Sequence, residues 1–144
     1  MGVSSPRKQY NQEIQDKARA LSGRGNVDVN LETGEVKLLK DIAFKPRRTT
    51  DEPTAELADP AKAKQILDDI SEVAKLISEE NLIIEGHTKG GESKFWKTLA
   101  DNRAALIGKE LAKRKVNPKR LRTVGLPGKQ GMNRVAVVVT LEQR

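Results

Sequence analysis

Residues 59 to 77 leave the chain little choice of local structure. Asp59 precedes Pro60, a capping carboxylate followed by the residue best tolerated in a first helical turn. Ala63, Ile66, Leu67, Ile70, Val73, Ala74 and Ile77 then recur at helical spacing and give one apolar face. A helix with one apolar face has to be covered, and the flanking sequence supplies the cover. Leu82 to Gly86 reads as a short apolar strand, followed by a second long helix from about Ser93 to Lys115 that Asn117-Pro118 ends. Leu121 to Val124 reads as a short strand, and Leu126 to Gly131 as a turn-rich loop. Arg134 to Leu141 contains Val135-Ala136-Val137-Val138-Val139, apolar on both faces as in a central strand. Upstream, Val27 to Leu31 and Glu35 to Phe44 read as extended segments around Glu32-Thr33-Gly34. The order is hairpin, helix, strand, helix, strand, strand. It predicts an α/β fold, an α+β sandwich with two long helices on one face of a mixed sheet.

At 144 residues the chain fits a single domain over 27–144, with a long loop at 45–58. Residues 1–26 form a polar leader in which Ile14, Ala18 and Leu21 outline a thin apolar stripe, either a weak helix or mobile chain. There is no cysteine, which excludes disulfides and thiolate metal sites. No apolar run approaches the ~20 residues that cross a bilayer, and Met1 to Tyr10 has no apolar signal core. Two locations fit this expectation: the cytoplasm, or the periplasm or cell envelope for a domain excised from an exported protein.

The net charge of +7 favours anionic partners. Lys109, Lys113, Arg114, Lys115, Lys119, Arg120 and Arg122 cluster around the end of the second helix. However, Tyr10, Phe44, Phe95 and Trp96 are the only aromatics, too few for a base-stacking platform. A solvated basic face is the better reading, and nucleic acid is a minor alternative. An enzyme is the weakest class. His87 is the sole histidine, no metal-ligand spacing accompanies it, and neither glycine-rich stretch fits a phosphate loop. No cofactor is expected.

One charge interrupts the second helix. With Leu99 at zero and about 100° per residue, Arg103 falls near ~40°, between Leu106 and Ile107 on the apolar stripe. A guanidinium there must snorkel, pair with an acid such as Glu110, or face a ligand, because burying it unpaired costs roughly several kcal/mol.

Ile84-Glu85-Gly86-His87-Thr88-Lys89, Leu99-Ala100-Asp101-Asn102-Arg103-Ala104, then Val116, Leu121 and Gly125, and finally Asn133-Arg134-Val135 together resemble the OmpA-like, peptidoglycan-associating domain family. Its patterns are GHTD, LSxxRA, a short Gly-Val bend and NRRV, and the resemblance covers roughly residues 36 to 142. It implies a βαβαββ-type domain that grips the diaminopimelate of a peptidoglycan peptide stem. In that family an Asp takes the ammonium of the zwitterion and an Arg takes the carboxylate. Arg103 falls at the arginine position, with His87 and Thr88 in the strand-end motif.

The chain departs from the pattern where the acid should be: Lys89 follows Thr88. Facing an ammonium, Lys89 would cost about 1 to 4 kcal/mol. Glu92 in the same loop is the candidate substitute. Other departures are Ala100 for the motif serine, Lys115 for the glycine before Val116, and Met132 ahead of Asn133-Arg134. The expected ligand site is therefore Arg103, Thr88, Lys89, Glu92 and His87. It suits either a peptide stem or, with two cations, another anionic ligand or acidic partner.

Overall fold

Capping and periodicity at Asp59 produce the helix they predict. The computed structural model describes residues 7–88, 91, 93–128 and 136–143. Its helices are α1 (Gln12–Ser22), α2 (Pro60–Leu76) and α3 (Lys94–Lys113). Its strands are β1 (Val27–Val29), β2 (Glu35–Leu38), β3 (Glu80–Thr88), β4 (Leu121–Pro127) and β5 (Val137–Gln143). The Asp59 carboxylate accepts from the Lys62 backbone N–H at 3.2 Å. Ala63, Ile66, Leu67, Ile70, Val73 and Ala74 are all buried along α2. Each such aliphatic side chain contributes roughly 1.5 to 3 kcal/mol of burial.

The strands form one mixed sheet in the order β1-β2-β5-β3-β4. β5 is central, and its neighbour β3 runs antiparallel to it and parallel to the edge strand β4. The β1–β2 hairpin turns through Gly34, whose φ of 82° is the left-handed conformation glycine permits. Leu82, Ile84, Val137, Val139 and Leu141 are buried beneath the helices. At Gly86 and Gly125 helix and sheet touch backbone to backbone: a Cβ would strike the Ala100 carbonyl oxygen from Gly86, and the Asp101 N–H from Gly125. The Asp101 carboxylate fastens this approach by accepting from Gly125 N–H at 2.9 Å and from Lys97 Nζ at 2.6 Å.

The α/β architecture is the expected one, with α1 as a third helix. Asn11 caps α1 by accepting from Ile14 N–H at 3.0 Å, and Ala18 and Leu21 are buried. α1 packs against α2 and β1. Asp69, buried in α2, holds the following bend by accepting from Asn26 Nδ2 and Arg24 Nη1, each at 3.0 Å.

Four expectations need correction. The extended segment from Glu35 stops at Leu38, and Phe44 makes only an isolated bridge with Leu57. β3 and β4 run longer than their apolar cores, since parallel pairing carries them to Thr88↔Pro127 and takes Leu126 and Pro127 out of the expected loop. α3 stops two residues short of Lys115, which adopts φ 72°. β5 is not buried on both faces: Val138, Thr140 and Glu142 are half-exposed, because all three helices lie on the other side. Val135 and the Asn133-Arg134 motif lie outside the described residues.

Candidate functional site at the end of β3

Strand alternation divides the end of β3 between the two sheet faces. Gly86 and Thr88 face α3, whereas Glu85 and His87 face away from it. His87 Nε2 lies 3.2 Å from Glu85 Oε1 on that opposite face, and its ring is buried. Of the expected site residues, His87 therefore reaches the helix side only through its backbone. Its carbonyl oxygen accepts from Arg103 Nη1 at 3.2 Å.

Arg103 arrives from α3, one turn after Leu99. Its guanidinium stacks 5.1 Å above the Phe44 ring. No carboxylate among the described residues pairs with it, and Nε is buried without a hydrogen-bond partner. Thr88 Oγ1, on a residue only 5% exposed, is likewise buried and unpartnered. Glu110 is not the partner that the helical wheel offered: it pairs with Lys113 at 3.0 Å and Arg114 at 3.1 Å. Burial pushes the Arg103 proton affinity below the ordinary arginine value, and the positive charge of Arg47 pushes in the same direction.

The 45–58 loop lies against α3 at the residue before Arg103. Lys45 N–H donates to Glu56 O at 2.8 Å and Ala58 N–H to Ala43 O at 3.0 Å, so the loop folds back on itself. Asn102 Nδ2 ties it to α3 by donating to Pro53 O at 2.5 Å. Arg47 donates from Nε to Thr54 O at 3.0 Å and from Nη2 to Glu56 at 3.2 Å. The loop stands out in the sequence by its length, but Arg47 within it does not, because nothing local distinguishes it from the other cations there.

The structure thus brings Arg103, Thr88 and the His87 carbonyl together, with Phe44 and Arg47 beside them. Lys89 and Glu92 lie outside the described residues. Phe95 and Trp96, at the start of α3, pack edge to face with ring centroids 4.9 Å apart. The basic cluster is largely committed elsewhere. Arg114 pairs with Asp68 at 2.7 Å, Arg120 donates to the carbonyls of Ala74, Ile77 and Glu80, and Arg122 pairs with Glu142 at 2.9 Å. Among the described residues, no group of acids and histidine is placed to hold a metal ion, and no helix is long and apolar enough to cross a membrane.

The OmpA family model matches residues 51–136. Among solved structures, a MotB-like protein from Desulfovibrio vulgaris is similar with a TM-score of 0.65 and 15% identity, covering 92% of this chain and 91% of that one. An outer membrane protein from Borrelia burgdorferi B31 matches with a TM-score of 0.61 and 26% identity over 81% of this chain and 96% of its own. The OmpA-like domain of FopA1 from Francisella tularensis has a TM-score of 0.52 and 13% identity, covering 82% of each chain. No curated protein matches the chain significantly.

Proposed function

The chain belongs to the OmpA family, and from that membership we propose that it is a non-catalytic cell-envelope module that associates with peptidoglycan by holding a carboxylate of the peptide stem. The observation that carries this reading is Arg103. A desolvated guanidinium with an unpartnered Nε, standing beside the unpartnered Thr88 hydroxyl, is costly in the free protein. A carboxylate from outside would answer the unpaired charge, and Arg offers it a planar, bidentate fork. Phe44 and the His87 carbonyl fix the plane of that fork before a ligand arrives.

Sedimentation with purified peptidoglycan tests the reading. Wild-type protein should pellet with the polymer, and Arg103→Ala should weaken association by about tenfold or more. Equal pelleting of the two proteins would remove it.

A second reading, an anion site rather than a zwitterion site, is favoured by the absence of a carboxylate on Arg103 among the described residues and by the nearby charge of Arg47. Comparing meso-diaminopimelate with pimelate, which keeps both carboxylates and lacks both ammonium groups, separates the two. Tighter binding of diaminopimelate supports the zwitterion, and tighter binding of pimelate supports the anion.

A further inference from the structure

We propose that Arg47 is the second cation of the Arg103 site, so that the site is selective for a ligand end bearing two carboxylates. The proposal rests on the reading of Arg103 as ligand-directed and names the charge pattern it recognises. A chain of contacts places Arg47 there. Phe44 lies under the Arg103 guanidinium at 5.1 Å, and Arg47 follows three residues later in the loop that Phe44 opens. Asn102, the neighbour of Arg103 on α3, holds Pro53 O at 2.5 Å, and the next residue, Thr54, accepts from Arg47 Nε at 3.0 Å. The same loop is thus tied at adjacent residues to α3 and to Arg47.

Arg47 is also chemically available. Its side chain is 21% exposed, and its acid partner Glu56 is 56% exposed and shared with Lys45 at 3.2 Å. An incoming carboxylate can take over the Nη2 donor while Lys45 retains Glu56. Burial first, and then the charge of Arg47, lowers the proton affinity of Arg103, so the two guanidiniums repel each other in the free protein. A doubly negative ligand end relieves that repulsion, whereas a single carboxylate can answer only one cation.

Titration of the full chain with glutarate and with butyrate, followed by amide chemical shifts, tests this. The two ligands differ by one carboxylate. Wild-type protein should prefer glutarate by about tenfold, as expected for one added charge-assisted contact. Arg47→Gln should bring the two ligands within about threefold, and Arg47→Lys should restore part of the preference, with thermal melts showing that each variant is folded. A preference that survives Arg47→Gln, or its absence from the wild-type protein, overturns the role of Arg47. Binding of both ligands untouched by Arg103→Gln would instead overturn the underlying reading of the site.

Discussion

Arg7 and Glu80 meet across 73 residues of sequence: Arg7 Nη2 donates to Glu80 Oε1 at 2.7 Å, with the Glu80 side chain only 2% exposed. The Tyr10 hydroxyl also donates to this carboxylate. Arg7 Nε reaches Leu31 O at 3.0 Å, so one guanidinium joins the leader, the β1–β2 hairpin and the start of β3. Breaking a buried ion pair from one side leaves an uncompensated charge. Arg7→Met should therefore lower stability by about 3 kcal/mol in urea denaturation. A loss below ~0.5 kcal/mol, the range of a surface pair, would show the clasp to be unimportant.

Tyr10 should report on the same clasp at high pH. Burial first, then the hydrogen bond and charge of Glu80, raise its phenol above the usual value. Above about pH 10 an unfolded tyrosine ionises while the folded one keeps its proton. The unfolded state then binds fewer protons, so stability present below that pH is lost as pH rises. Tyr10→Phe should flatten the decline. Because Tyr10 is the only tyrosine, tyrosinate absorbance reads this one group directly. Ionisation at the ordinary value in folded protein would contradict the assignment.

Arg103→Met should separate stability from binding. The substitution removes a desolvated cation that has no acid partner among the described residues and leaves an apolar side chain on an apolar stripe. Thermal stability should hold or rise, by about 1 kcal/mol, while peptidoglycan association falls. A marked loss of stability would mean that the guanidinium serves the fold.

Lys115 closes α3 at φ 72°, a conformation that costs a side-chain-bearing residue about 1 kcal/mol. Lys115→Gly should stabilise the protein by roughly 0.5 to 1 kcal/mol, measured as a higher denaturant midpoint. An unchanged midpoint would show that the lysine makes compensating contacts at the helix end.

What the sequence made legible was local. α2 follows from a cap and a stripe that lie within 19 residues, and the strands follow from apolar runs bounded by turns. Arg103 stood out because a charge on an apolar face violates a short-range pattern. The clasp did not, since Arg7, Tyr10 and Glu80 share no spacing, and their pairing exists only once the sheet has formed. The ring of His87 was placed with the ligand by motif alone, although the alternation of β3 sends it to the opposite face. Val138 misled for a related reason: an apolar residue in a central strand need not be covered on both sides.

β3 begins at Glu80, under the Arg7 clasp, and ends at Thr88, beside Arg103. Nine residues of strand separate the two by roughly 26 Å. Tension between the leader and a polymer held at Arg103 would run lengthwise through this strand. The hydrogen bonds to β4 and β5 run across such a pull and would share it in shear, all together, rather than peel apart one after another. With a polymer bound at Arg103, the strand would serve as a short tie-rod between that contact and the clasp.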